Sequence, residues 1–304
     1  MKIGIIGSGL VGGAIANAIA HSGLQAQIVL IDKERSIAEA QALDINSGNL
    51  ERGLVRAGEL EDLLGANVVI FAAGKRAQSG WGSTDLLAMN APILDSTLSR
   101  VLEIAPEAVL VIASNPMDYL TNHAAKRLGE SYAAKVIGSG TMLETNLLRQ
   151  ALAEQLGLHP RDVHGHVLGE EGGSALVAWS SVRVAGVKLD EFLENRGANL
   201  HFQQKSEIAD KVRHAVSWAA STKGAFLFGI GATVAQLVGA ILNDTREVLT
   251  VSAWDSTRGC AISLPRVIGR AGVLETLKPQ LDDDENARLE IIQGYFRNMP
   301  VLRS

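Results

Sequence analysis

The chain has 304 residues, 47% hydrophobic and 20% charged, with a formal net charge of −5, a size that accommodates two domains and a composition of ordinary globular type. The acidic balance argues against a nucleic-acid or anionic-membrane surface, since both need clustered Lys and Arg. A single cysteine, Cys260, rules out an intramolecular disulfide; with no leader-like start and no run of about 18 apolar residues, the expectation is a cytosolic protein without a membrane span.

The first half alternates short apolar runs with helix-period segments. Strands are predicted at Lys2–Ile6, Gln27–Ile31, Val68–Ala72, Val109–Ala113 and Lys135–Gly138, and helices at Val11–His21, Ser36–Ala42 and Leu86–Glu103. Such alternation implies βαβ units, and runs such as VVIFAA and AVLVIAS suit parallel strands covered on both faces. From Thr141 the rhythm changes. A helix at Leu143–Leu156 precedes short strands near Val163–Leu168 and Val182–Val184, then a long helical stretch from Leu189 to about Ser221. A helix around Val234–Leu242, strands at Glu247–Ala253 and Ala261–Gly269, and a charged helix from Asp282 to about Arg297 complete the chain. The run Asp282–Glu285 needs no ligand, because acids at a helix start complement its dipole. Trp179 and Trp218 read as core residues, whereas Trp81, between Gly80 and Gly82, reads as part of a lid or as a loop packing contact.

Gly7-Ser8-Gly9-Leu10-Val11-Gly12 follows the first strand and opens a helix, and Asp32 ends the second strand. This is the dinucleotide fingerprint in its required setting: Gly7 permits the turn, Gly9 the approach of a pyrophosphate, and Gly12 close packing of helix on strand. The amides of Leu10 and Val11 would meet the phosphates. Asp32 would accept hydrogen bonds from the ribose and repel a 2′-phosphate, so NAD is favoured over NADP. The fold class is therefore α/β, a Rossmann-type doubly wound parallel sheet followed by an α+β domain.

Over nearly its whole length the chain resembles the lactate/malate dehydrogenase family, through segments such as GSGLVG, ALDINSG, FAAGKRAQSG, STDLLAMN, IASNPMDYLT, VIGSGTMLET, VLGEEGGS, KGAFLFGIG and VLTVSAW. The resemblance implies an NAD-binding domain over 1–142, a substrate domain over 143–304, a small-molecule substrate, and a homodimer or homotetramer. It carries Gly74 to the pyrophosphate, Asn90 to the cofactor side, and Asn115 to the nicotinamide and the reacting oxygen. Arg149 and His164 resemble an intersubunit phosphate site of effector-regulated bacterial relatives, although structural packing explains both as well.

That family uses a proton-shuttling histidine, an aspartate that orients it, and two arginines that clamp and polarise a 2-keto acid. Here the histidine position is Glu171, the aspartate position Glu144, the clamp Leu147 and the loop arginine Ser83. The loop position that selects the substrate corresponds to Ala77, and a threonine facing the substrate to Phe226. A buried carboxylate without an arginine is costly, so a free keto acid is disfavoured unless Arg76 swings inward. Two carboxyls in contact cannot both ionise cheaply, so Glu144 and Glu171 are expected to share a proton and act as acid and base. A small carbonyl/alcohol couple is the main reading, with Glu171 as acid/base and Asn115 as hydrogen-bond partner. An iminium or amine substrate, a divalent metal helped by His164 or His166, a non-catalytic NAD-binding homologue whose Glu170 and Glu171 are solvated, and an ordinary 2-hydroxy acid dehydrogenase using Arg76 remain open.

Overall fold

The computed structural model describes residues 1–48, 54–76 and 80–301. Its first half forms six parallel strands, β1 (Lys2–Ile6), β2 (Gln27–Ile31), β3 (Val55–Ala57), β4 (Val68–Phe71), β5 (Val109–Ile112) and β6 (Val136–Gly138). Helices α1 (Leu10–Ala20), α2 (Arg35–Ser47), α3 (Ser83–Ile104), α4 (Met117–Leu128) and α5 (Glu130–Ala133) connect them. The spatial order β3-β2-β1-β4-β5-β6 is that of a doubly wound nucleotide-binding sheet. Alternate residues of one strand enter different cores. Ile3 and Ile5 join one apolar cluster with Val68 and Val109, while Ile6 joins another with Phe71 and Ile112. That two-sided burial is why these strands are continuous apolar runs.

The second half begins with α6 (Met142–Leu156) and five two-residue strands, β7 (Val163–His164), β8 (Val167–Leu168), β9 (Leu176–Val177), β10 (Arg183–Val184) and β11 (Val187–Lys188). Helices α7 (Leu189–Glu194), α8 (Phe202–Lys223) and α9 (Phe228–Asn243) follow, then β12 (Glu247–Asp255), β13 (Cys260–Gly269), β14 (Gly272–Thr276) and α10 (Asp283–Asn298). The α+β reading of this half is right in content, but its long strands do not form a separate sheet. Ser252 and Ala253 of β12 pair antiparallel with Gly138 and Ile137 of β6, so one nine-stranded sheet runs from β14 to β3. The free edge of β6 is thereby covered, as buried backbone donors and acceptors require.

Three sequence expectations change. The stretch from Leu189 to Ser221 is two helices, separated at Gly197, whose φ of +64° is a conformation other residues adopt only under strain. Helix α4 was not predicted; Met117 to Ala125 are all buried although Asp118, Thr121, Asn122 and His123 are polar, so polar side chains stand where periodicity expects apolar ones. Trp218 is 69% exposed rather than in the core, whereas Trp179 packs against the second-half cluster. The acids starting α10, expected only to complement its dipole, also cap it: Asp282 and Glu285 exchange side-chain-to-amide hydrogen bonds of 2.8 and 3.2 Å. Among the described residues no helix is long and apolar enough to cross a membrane.

Candidate functional site

A cavity of about 390 Å³ opens above the carboxyl ends of β1, β4 and β5, lined by Gly9, Leu10, Val11, Gly74, Asn115 and the α9 residue Ile230, among others. Helix α1 starts at Leu10 with no side chain capping it, so its first amides face the cavity unpaired, an anion site in waiting. The glycines divide the labour. A β-carbon on Gly7 would meet the backbone of Ala73, and one on Gly12 would strike the Gly7 carbonyl, but one on Gly9 would meet nothing within 4 Å. The space over Gly9 is the cradle a pyrophosphate needs. Asp32 does not line the cavity; its carboxylate accepts the Ser8 amide at 2.8 Å and the Glu34 amide at 3.1 Å, pinning the glycine loop to the end of β2. The residues present fit a dinucleotide: Gly9, Leu10 and Val11 would hold its phosphates and Gly74 would allow close approach, while Asp32 shapes the glycine loop through Ser8.

Asn90, 1% exposed, also lines this cavity, but its amide is already spent. It accepts the Lys75 amide at 2.7 Å and donates to the carbonyls of Lys75 at 3.2 Å and Asn115 at 2.7 Å. Asn90 therefore ties the loop after β4 to the loop after β5. Its amide group sits where a side chain on Gly74 would be, which explains the glycine.

A second cavity of about 370 Å³ shares Leu86, Asn115, Met117, Glu171, Val216 and Ala220 with the first and is otherwise lined by Trp81, Ser83, Asp118, Tyr119, Glu144, Glu170, Arg213 and His214, among others. Asn115, exposed, and Glu171, half-buried, stand at the junction. Asp118 at the start of α4 and Glu144 at the start of α6 are 2% and 1% exposed. The Glu171 amide donates to Asp118 Oδ2 at 2.7 Å and the Ser263 hydroxyl to Oδ1 at 3.3 Å, so Asp118 anchors the acidic loop. Burial pushes Asp118 up to about 6 despite those donors. Burial, and then the neighbouring Asp118 charge, push Glu144 up to about 7. Glu171 is raised well above the usual carboxyl range by burial, then by Glu144, Asp118 and Glu170.

The expected pairing of Glu144 with Glu171 is thus corrected in form. Both face one cavity and each disfavours the other's charge, but neither carboxylate oxygen of Glu144 has a hydrogen-bond partner, so no proton is shared between them in this conformation. The cluster also has a third acid. Asp118 went unnoticed in IASNPMDYLT because α4 itself was not predicted; its place two residues after Pro116, in the turn that follows Asn115, was the available signal.

Of the other expected pocket residues, Ser83 lines the second cavity, but Arg76 and Phe226 line only the first. Phe226 stands beside Leu143 and Gly229 at the foot of α9 and walls the cofactor cavity instead of the substrate side. Leu147 lines neither cavity; it packs against the apolar cluster of the second half, because leucine has no reason to face the acids. Ala77 lies outside the described residues. Arg213 and His214, which the sequence reading passed over, do reach the second cavity. The Arg213 guanidinium is committed, to the Ala175 carbonyl at 2.9 Å and Asp210 at 2.8 Å, and His214 Nδ1 lies 2.8 Å from the Asp210 carbonyl. Arg149 and His164 lie apart from both cavities; the Arg149 Nε donates to the Gly165 carbonyl at 3.3 Å. His166, pressed toward about 4 by burial and by those two neighbours, is bonded to Thr250 at 3.0 Å and is not with the acids. Among the described residues no group of three or more His, Cys, Asp or Glu is arranged to hold a metal ion.

Residues 1–138 match the lactate/malate dehydrogenase NAD-binding domain, and residues 141–299 match the lactate/malate dehydrogenase alpha/beta C-terminal domain. The L-lactate dehydrogenase of Allorhizobium ampelinum is 42% identical over 295 residues, 95% of each chain, and that of Thermus aquaticus 41% identical over 304 residues, 97% of this chain and 98% of the relative. Among solved structures, a lactate dehydrogenase from a Medee basin deep-sea metagenome superposes with a TM-score of 0.90 at 29% identity, covering 97% of this chain and 96% of the other. The minor L-lactate dehydrogenase of Enterococcus mundtii gives 0.88 at 32% identity, covering 98% and 99%. With its dinucleotide cradle and both halves matched, the chain belongs to the lactate/malate dehydrogenase family and is an NAD-dependent oxidoreductase.

Proposed function

We propose that this enzyme transfers hydride between NAD and a small substrate that is not a free 2-keto or 2-hydroxy acid, with Glu171 as the proton donor and acceptor. The observation that carries this reading is the junction of the two cavities, where a glutamate backed by Glu144 and Asp118 stands and, among the described residues, no uncommitted arginine does. Bound NAD supplies or accepts the hydride. The chain supplies everything else: Asn115 offers its amide at the junction, Leu86, Met117 and Val216 exclude water, and Glu171 holds a proton. A carboxyl with an ordinary pKa near 4.3 is a poor acid at neutral pH, and one raised toward neutrality is a competent one. Burial and like charge raise Glu171, so it does by environment what imidazole does by nature.

The comparisons favour a second reading over this one, an ordinary 2-hydroxy acid dehydrogenase, because the relatives are named L-lactate dehydrogenases. That reading needs a cation for the substrate carboxylate. Arg76 is exposed and lines only the cofactor cavity, so it would have to cross to the other. The first reading rests instead on side-chain chemistry, since three adjoining acids offer a substrate carboxylate no counter-charge and its negative charge would disfavour their ionised forms. An NADH-linked assay with pyruvate and oxaloacetate separates the two. The unmodified enzyme is expected to leave both acids unreduced, and a variant carrying Glu171→His, Glu144→Asp, Leu147→Arg and Ser83→Arg to gain activity on one of them; brisk turnover by the unmodified enzyme would establish the second reading. The assembly proposed is a homodimer or homotetramer, supported by Trp218 and Phe228, exposed by 69% and 79% on α8 and α9.

A further inference from the structure

We infer that the second cavity recognises a cationic nitrogen, so that the bond reduced is the C=N bond of an iminium ion and the product is an amine. This rests on the reading that the junction is a working hydride-transfer site and names the substrate class for it.

Four carboxyl groups, Asp118, Glu144, Glu170 and Glu171, line one cavity of about 370 Å³. The basic groups facing them are Arg213, neutralised by Asp210 at 2.8 Å, and His214. An acidic cluster alone would say little, because carboxylates on a surface are solvated. Glu144 is different: it is 1% exposed, no side chain bonds either of its oxygens, and the backbone amides of Glu144 and Gly172 approach them without a well-formed hydrogen bond. A buried carboxyl left in that state is unfavourable unless it is neutral or a cation meets it. It stays bearable in the empty protein through protonation, as its rise toward about 7 reflects. A bound monocation offers the other solution, ionised acid against cation. Trp81 and Tyr119 on the same walls present aromatic rings, which favour an organic cation over a bare ion. The donor geometry favours it too, since among the described residues no three acids or histidines converge as metal ligands.

The step balances without a further reactant. Hydride added to the iminium carbon breaks the C=N π bond and leaves its electron pair on nitrogen as a neutral amine, while NADH becomes NAD⁺. The amine then takes the Glu171 proton, giving an ammonium–carboxylate pair. Positive charge enters with the iminium and returns with the ammonium, which suits walls that carry acids and, among the described residues, no uncommitted guanidinium or ammonium group. A keto acid would instead bring a negative charge among them.

The test uses the NADH-loaded enzyme and three probes of similar size, pyrrolidinium, cyclopentanol and lactate, with binding read by calorimetry and nicotinamide fluorescence. Pyrrolidinium is expected to bind about thirtyfold more tightly than cyclopentanol, with lactate weakest. Its affinity should rise between about pH 6 and pH 8 as Glu144 and its neighbours ionise. In Glu144→Gln that preference is expected to fall by about tenfold or more with NADH affinity unchanged, and Glu144→Asp should retain part of it. Equal affinities for the cation and the alcohol in the unmodified enzyme would overturn the inference, as would competition by Mn²⁺ without any response to pyrrolidinium. The companion assay offers 1-pyrroline, cyclopentanone and pyruvate with NADH. Reduction of 1-pyrroline alone supports the inference; reduction of cyclopentanone alone overturns it while the carboxylate-free reading survives; reduction of pyruvate overturns both.

Discussion

Glu144 shows what one methylene and a missing partner do to a pocket. Its pKa is raised from 4.5 to about 7, so the folded chain holds a proton that the unfolded chain has already released. Stability is therefore fully present below about pH 4.5 and is lost as the pH climbs toward 7 and above. Glu144→Gln is expected to reduce that loss between pH 5 and pH 8 by on the order of 2 kcal/mol, read from urea unfolding at the two pH values. An unchanged pH dependence would mean Glu144 is not the proton holder. Asn90 makes the opposite case, a polar group fully spent on backbone. Asn90→Ala leaves the Lys75 amide and the Lys75 and Asn115 carbonyls without their partner, and should cost about 2 kcal/mol or more while weakening NADH binding. At this scale the sequence named Glu144, Glu171, Ser83 and Asn115 for one cavity but misplaced Leu147, Arg76 and Phe226. Correspondence of position carries a residue to a helix and a turn; which way its side chain faces depends on what it packs against, and leucine packs against apolar neighbours.

At the scale of elements, the glycine loop gives a prediction in which stability and binding part company. Gly9→Ala adds a methyl group to open space, so the melting temperature should hold while NADH affinity falls by about tenfold or more, since the cradle is filled. Gly12→Ala drives a β-carbon into the Gly7 carbonyl and should lower the melting temperature itself. Equal effects from both would show that the loop is merely structural. The elements of the first half were legible because βαβ alternation writes itself in apolar runs. Helix α4 was not, because polar residues occupy its buried positions, and with it went Asp118. The division of α7 from α8 hung on Gly197, one residue inside a strongly helical stretch.

For the molecule as a whole, two features were not accessible to local pattern: the antiparallel strands that extend the parallel sheet through β6 and β12, and the apolar surface around Trp218 and Phe228. Pairing between strands more than 100 residues apart in sequence leaves no periodic mark on either one. If that surface joins subunits, Trp218→Glu together with Phe228→Glu should convert a dimer or tetramer to a folded monomer in sedimentation velocity; an unchanged assembly would move the interface elsewhere. The central claim is that buried carboxyls replace imidazole by keeping a proton at neutral pH. Infrared spectroscopy of the NADH-bound enzyme at pH 7 tests it most directly: the account predicts a protonated-carboxyl stretching band that disappears in Glu144→Gln/Glu171→Gln, and a spectrum showing only ionised carboxylates at that pH would contradict it.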